Sequence, residues 1–274
     1  MNYTIERALD GTIKFSYAQG YYAVLIPLKN GKTTLCMSTQ VGCPVKCKFC
    51  HSGILAFKKN LTLSELQEQF ENALEYLKFD TQYAKEKITA IVIMGMGEPL
   101  LNLQSVIEFC VWVNAKYMYP FDKITISTSG LLPQMRTLLE LPQKMHLALS
   151  LHSPFDSVRA QLIPTSKSVD KLIEFCHEYN LQRKRGIMIE YLMIENLTDR
   201  TEDIEKIIAF NLEKNTLFNL IPLNTTMILN TKKYSSSNPE KIDQFKKRLM
   251  AAGYKCFVRE HKGEDISAAC GMLK

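Results

Sequence analysis

The sequence predicts an α/β fold, a partial (β/α) barrel of about six core repeats, on three observations. Short apolar runs alternate with amphipathic stretches along nearly the whole chain. The segments after those runs are rich in Gly, Ser, Asn and Cys. The length, 274 residues of which 46% are hydrophobic, suffices for one large core.

The elements follow in order. "GYYAVLIPL" and "TTLCMST" read as strands, and "TLSELQEQFENALEYLK" reads as an amphipathic helix with Thr62 or Ser64 as N-cap. "ITAIVIMGMG" is a buried strand, "LQSVIEFCVWVNAK" a helix, "ITISTSG" a strand and "LPQMRTLLELP" a short helix. "HLALSLH" (strand), "VDKLIEFCHEYNLQ" (helix), "GIMIEYLMI" (strand) and "TEDIEKIIAFNLEK" (helix) continue the alternation. "FNLIPLN" is a strand, "KKYSSSNPE" the most loop-like segment, "PEKIDQFKKRLMAAG" a helix and "KCFVRE" a last strand. Strict alternation implies parallel strands joined by right-handed crossovers, and the count falls short of a closed barrel. The chain reads as one domain over 1–274, with an N-terminal β extension over 1–30, a barrel core over 31–258 and a cysteine-bearing C-terminal tail over 259–274.

No apolar run is long enough to span a bilayer, and "MNYTIERALDG" lacks the plan of a signal peptide. The expectation is a cytoplasmic protein with no membrane partner. In that reducing compartment the eight cysteines point to metal or redox chemistry rather than a disulfide framework. A net charge of +6 fits a polyanionic partner such as RNA, and fits enzymes of phosphorylated substrates equally.

Chemistry in such a fold collects on the loops after the carboxyl ends of strands. Here those loops read "CMSTQVGCPVKCKFCHSG", "MGMGEPLLN", "STSG", "SLHSP" and "LIPLNTT", which together suit one extended ligand at the barrel mouth. Cys43, Cys47 and Cys50 lie in one loop with no second pair after them. Structural zinc takes four ligands, usually as two separated pairs. Three thiolates suit a [4Fe-4S] cluster with one iron left open. Cys36 as a fourth zinc ligand is the alternative reading.

Cys-x-x-x-Cys-x-x-Cys with Phe49 before the last cysteine is similar to the signature of radical S-adenosylmethionine (SAM) enzymes. "CMSTQVGC", "MGMGEPLLN", "TISTSGLLP", "LALSLHSPFDSVR", "FNLIPLN" and "DISAACG" together resemble the RlmN/Cfr family of radical SAM RNA adenosine methyltransferases. The likeness runs from about "DGTIKF" to the C-terminus. It implies a radical SAM barrel in which Cys43, Cys47 and Cys50 hold the cluster and its open iron chelates SAM. Gly97 and Glu98 match the contact to the SAM amino group. Ser127, Ser150, Leu151, His152 and Asn224 match further SAM contacts. The resemblance implies that Cys270 accepts a methyl group from one SAM, that a radical from a second SAM takes a hydrogen from it, and that the resulting carbon radical adds to adenine. Cys36 then matches the cysteine that aids loss of the ring proton and releases product as a disulfide forms with Cys270. The implied partners are ribosomal or transfer RNA and a low-potential reductant such as flavodoxin or ferredoxin. The same two-cysteine chemistry on a small heteroaromatic or nucleotide substrate is the alternative.

Two departures from the family pattern stand out. Family members carry an N-terminal RNA-gripping domain, whereas this chain begins almost at the catalytic core. Where the family has a proton-accepting glutamate, this chain has Tyr22, and no Asp or Glu occurs from Gly11 to Leu63. Met94 and Met96 read as core filler, and Cys110, Cys176 and Cys256 as buried small apolar residues. "LQRKRG", "TKKY" and "FKKR" read as solvated faces or phosphate contacts.

Overall fold

The computed structural model describes residues 2–28, 31–80, 87–224 and 226–273. The chain opens on an antiparallel meander, β1 (Tyr3–Arg7), β2 (Ile13–Tyr17) and β3 (Tyr22–Leu28), and β3 then pairs antiparallel with β4 (Lys32–Met37). After β4 come a short ribbon, β5 (Gln40–Val41) with β6 (Lys59–Asn60), and inside it the one-turn helix α1 (His51–Ile54). The repeats continue as α2 (Leu63–Phe79), β7 (Ile88–Ile93), α3 (Leu103–Tyr117), β8 (Ile124–Thr128), α4 (Leu132–Glu140) and β9 (His146–Ser150). Next are α5 (Asp156–Leu162), α6 (Val169–Gln182), β10 (Met188–Met193), α7 (Thr201–Ala209) and β11 (Leu217–Pro222). The ribbon β12 (Met227–Leu229) with β13 (Lys232–Tyr234), α8 (Pro239–Ala251) and β14 (Lys255–Val258) complete the chain.

One ten-stranded sheet runs in the order β1-β2-β3-β4-β7-β8-β9-β10-β11-β14, and from β4 to β14 every pairing is parallel. Six strands from β4 to β11 each lead into a helix and β14 ends the series, so the expected six repeats are present with one added strand. The sheet ends at β1 and β14, which leaves the barrel open. Its strands read as apolar runs because they are covered on both sides, as parallel sheets require. Leu35, Ile91, Ile126, Leu149, Ile189 and Leu220 are buried in the resulting core with Phe70, Phe109 and Phe175 from the helices. Of the two N-cap candidates Thr62 is used: its hydroxyl accepts from the Glu65 N–H while Glu65 accepts from the Thr62 N–H, a full capping box. "KKYSSSNPE" is not wholly irregular, since its first three residues form β13.

The C-terminal tail crosses the open side of the barrel and is tied to elements from the start of the chain. Lys14 donates to the Ile266 carbonyl at 2.9 Å, and Asp10 accepts from the Gly263 N–H at 2.9 Å. The His51 N–H donates to Gly271 at 2.8 Å and the Ser52 hydroxyl to Leu273 at 3.3 Å. These bonds fix the tail against both the N-terminal meander and the cysteine loop.

That loop depends on Gly42, at φ +74°, where a Cβ would be driven into the Ala56 carbonyl and to within 2.9 Å of Phe57 Cα. Gly31, at φ +65°, has open space where its Cβ would stand. Gly31→Ala therefore carries only the cost of the left-handed backbone, about 1 kcal/mol, whereas Gly42→Ala adds a backbone clash and costs roughly 3 kcal/mol or more. Urea midpoints of the two variants, compared at equal m-value, check this difference.

Candidate active site at the barrel mouth

Six strands, β4 and β7 to β11, and the tail converge on a cleft of about 1030 Å³, its open mouth included, with β10 lining it through Glu190 and Leu192. The loop after β4 contributes Cys43, Cys47, Phe49 and Cys50; the end of β7 contributes Gly97 and Glu98; β8 ends in Ser127, Thr128 and Ser129. Ser150 and His152 follow from β9, Asn224 from β11, and Cys270 from the tail. The loops are bound to one another before any ligand enters. Met96 accepts from the Thr39 N–H at 2.8 Å through its carbonyl, and Asn102 donates to the carbonyls of Thr39 and Leu61 at 3.0 and 2.8 Å. Gln69 of α2 exchanges hydrogen bonds with Ser38, at 2.9 Å from its N–H and 3.1 Å to its carbonyl. Gly97 sits at φ +106°, where a Cβ would lie 2.7 Å from Gln40 Cβ, so only glycine brings this backbone against the loop after β4.

The three cysteines form an electrostatically strained set. Burial pushes the Cys43 thiol up to about 11, and the neighbouring Cys50 and Glu98 add to it against the N–H groups of Val45 and Lys46. Cys47 is held well above its usual value by burial and by Cys50, Cys43 and Glu98, and Cys50 is raised chiefly by burial. Thiols crowded out of water can lose their protons only to a positively charged group that replaces them. Three thiols carried on one loop fit a polynuclear cluster, in which each thiolate would take a separate iron, better than a single zinc, whose structural sites take four ligands. Cys36 lies apart from the three: it pairs with Val24 and Val92 inside the sheet and lines a different cavity.

Glu98 is buried, and its carboxylate accepts from the Leu100 N–H at 3.1 Å and the Ser129 N–H at 2.8 Å. Burial raises its proton affinity, and those two N–H groups work against the rise. His152, at φ +58° and 3% exposed, accepts from the Leu192 N–H at Nδ1, which places its proton on Nε2. Burial first, and Arg159 second, lower its pKa to about 3, so the ring is a neutral donor. Its ring meets Phe49 edge to face at 4.7 Å. Asn224 donates to the Cys270 carbonyl, and among the described residues its Oδ1 is buried without a protein partner. Orphaned polar atoms at a cleft wall are what a bound polar ligand satisfies. Leu151 is the exception among the expected contacts: its side chain lies in the core, and its N–H and carbonyl are engaged by Glu190 and Arg159.

A second cavity, of about 1390 Å³, lies across the open side of the barrel and shares Cys50, Met94, Asn224, Arg259 and Cys270 with the first. Cys36 and Cys270 both line it. Burial pushes the Cys36 thiol up to about 12, Cys270 adds to that, and Arg259 opposes it. Arg259 donates to Cys270 Sγ at 2.9 Å and lies 3.7 Å from Glu190, whose carboxylate accepts twice from Asn219 at 3.1 and 3.0 Å. Cys270, then Glu190 and Cys36, make Arg259 hold its proton more firmly than usual. Sequence reasoning missed Arg259, Glu190, Ser129 and Arg159. A lone acid inside the apolar run "GIMIEYLMI" was the available signal for Glu190. Met94, read as filler, lines both cavities and lies 3.6 Å from Arg259, whereas Met96 is core. Tyr22 packs beside Cys36 with Lys14 5.4 Å from its ring centre. "LQRKRG" lies at the opposite end of the barrel, where Arg183, Lys184 and Arg185 line a third cavity with His146.

The radical SAM superfamily matches residues 37–210, which spans the cysteine loop and most of the parallel strands. A protein of Carboxydothermus hydrogenoformans named "Probable dual-specificity RNA methyltransferase RlmN" is 38% identical over 93% of this chain and 72% of its own length. The dual-specificity RNA methyltransferase RlmN of Desulfotalea psychrophila is 37% identical over 98% of this chain and 76% of its own. The crystal structure of a radical SAM methyltransferase from Sphaerobacter thermophilus superposes with a TM-score of 0.89 at 33% identity, covering 100% of this chain and 82% of that one. Radical SAM enzymes work with a [4Fe-4S] cluster and SAM, and the cysteine set and the buried polar groups of the mouth suit both. A fold that carries the cleft, a superfamily match over its strands and relatives alike along nearly the full chain lead to one assignment: this chain belongs to the RlmN family of radical SAM methyltransferases.

Proposed function

We propose that this enzyme methylates a ring carbon of an adenosine in ribosomal or transfer RNA, through a methyl group carried on Cys270. The observation that carries the reading is the placement of Cys270, which lines the mouth cleft on one side and the cavity holding Cys36 on the other. A methyl carrier must meet its donor and its acceptor from one position. Cys43, Cys47 and Cys50 would hold the cluster, and Gly97, Glu98, Ser127, Ser150, His152 and Asn224 would contact SAM, with Leu151 anchoring the loop between Ser150 and His152 through its bonds to Glu190 and Arg159. When bound, the cluster supplies the electron that splits SAM, and SAM supplies both the methyl group and the hydrogen-abstracting fragment. The residues of this chain supply position and charge. Glu98 complements an ammonium group, neutral His152 donates from Nε2, and Arg259 holds the Cys270 sulfur in place at the boundary.

Residues 1–274 act in this reading as one catalytic domain, with the extension over 1–30, the core over 31–258 and the tail over 259–274; the limit at residue 30 lies outside the described residues. No helix among the described residues is long and apolar enough to cross a membrane. We place the enzyme in the cytoplasm, reduced by a flavodoxin or ferredoxin, with RNA as its partner. Reconstituted enzyme given SAM, a low-potential reductant and deproteinised ribosomal or transfer RNA is expected to yield a C-methylated adenosine, read by nucleoside mass spectrometry. Turnover of SAM with no methylated nucleoside in either RNA, but with methylation of a small heteroaromatic, would replace RNA by the alternative substrate class.

A further inference from the structure

Arg159 of α5 is fully buried. Four of its N–H donors go to neutral acceptors: Nε donates to the Leu151 carbonyl at 3.0 Å, Nη2 to the carbonyls of Ser150 at 3.0 Å and Ser129 at 2.5 Å, and Nη1 to the Ser166 hydroxyl at 2.7 Å. None of these carries a formal charge. A buried cation with no countercharge costs several kcal/mol after relaxation, even when its hydrogen bonds are satisfied. Burial lowers the pKa of this guanidinium to about 10, and the group that most opposes the fall is Cys47, ahead of the exposed Asp156. The packing agrees: α5 carries Arg159 against the cysteine loop, since the Lys48 N–H donates to the Leu162 carbonyl at 2.9 Å and Val158 and Leu162 pack with Cys43, Val45 and Cys47, and Arg159 is the cation that eases the charge on Cys47. The carbonyls it grips belong to the loops after β8 and β9, which face the cleft through Ser127, Ser129 and His152.

We infer that Arg159 is the buried countercharge of the iron-sulfur cluster and, through the same fork, the tie that fixes the β8 and β9 loops toward SAM. This rests on the reading that Cys43, Cys47 and Cys50 hold the cluster. A cluster with three thiolates is anionic, and reduction adds one more negative charge. A fixed cation behind Cys47 favours the reduced state and raises the potential. Arg159 is thus a positioning and electrostatic residue, set behind the protein's thiolates rather than against the reacting atoms.

The test uses reconstituted full-length protein and compares Arg159→Met, which removes the charge, with Arg159→Lys, which keeps the charge and loses the fork. Dye-mediated titration followed by the electron paramagnetic resonance of the reduced cluster reads the potential; the change of that signal on adding SAM reads binding. Arg159→Met is expected to retain its iron and to shift the reduction equilibrium about tenfold toward the oxidised cluster, about 59 mV for one electron. Arg159→Lys is expected to hold the potential within about twofold and to need about tenfold more SAM for the spectral change. Should Arg159→Met purify poorly, urea midpoints before and after iron chelation give the same answer. Chelation leaves a bare charge in the parent and none in the variant, so the parent must lose more stability. An unchanged potential, or an equal loss on chelation, overturns the inference. Failure of the underlying reading would look different, as an intact cluster in Cys47→Ala.

Discussion

Cys47→Ala protein, reconstituted anaerobically with iron and sulfide, is expected to keep under about a tenth of the parent's iron and to release no detectable 5′-deoxyadenosine when reduced with SAM. Cys43→Ala and Cys50→Ala are expected to behave alike. The reason is positional. The three cysteines come from one loop whose backbone is bound to the tail at Gly271 and to α5 through the Lys48 N–H and Leu162 carbonyl, so a lost thiolate is not replaced from within the loop. Cys36 is held within the sheet by its pairing with Val24 and Val92. Cys36→Ala serves as the control, since it should keep the full iron content. The apoprotein should remain folded, because the main core contains no residue of the cysteine loop between β5 and β6, and circular dichroism of Cys47→Ala checks that the loss is local. Retention of four irons by any one of the three single variants would remove the cluster assignment.

The order of strands and helices was legible because a parallel sheet covered on both faces writes its strands as unbroken apolar runs. "ITAIVIMGMG" and "HLALSLH" could hardly be read otherwise, and they became β7 and β9 with their loops at the mouth. The meander was legible only in part. β1 is exposed at four of its five positions and β2 is short, so neither offers a clear two-residue period. The three cysteines proposed to hold the cluster stood out as a set by spacing, since all three ride on one loop at the mouth. Arg159, Glu190 and Arg259 did not. Each is a charged residue enclosed by contacts between separate elements, and a single chain read locally gives such residues the default of a solvated charge. The tail was legible as a carrier of Cys270 but not as the piece that crosses the open barrel, because its bonds to Lys14, Asp10 and His51 span more than two hundred positions.

Cys36→Ala is expected to accumulate enzyme with its substrate attached through Cys270, the largest qualitative change any substitution here should produce. In the proposed cycle the carbon carried by Cys270 becomes bonded to the ring, and product leaves only when a second thiol attacks that sulfur and takes it in a disulfide. Among the described residues Cys36 is the cysteine that shares the second cavity with Cys270 without belonging to the cluster set. Its thiol is poorly suited to wait as a free nucleophile, since burial and the nearby Cys270 push it up to about 12. Arg259 is the group that opposes that rise, and it also donates to the Cys270 sulfur. Attack therefore depends on a geometry the cavity already provides rather than on a freely ionised thiol, and among the described residues no further cysteine outside the cluster set lines that cavity to inherit the step. Tyr22, packed on the same cluster of residues as Cys36, brings no carboxylate to assist. Denaturing gels and intact mass of protein purified from cells read the outcome. A ribonuclease-sensitive adduct on the Cys270 peptide identifies RNA, and its sequence names the site; a small ribonuclease-resistant mass identifies the alternative substrate class. Normal product formation by Cys36→Ala, with nothing attached, would mean that the two cysteines do not act as carrier and resolving thiol, however closely the fold sets them around one cavity.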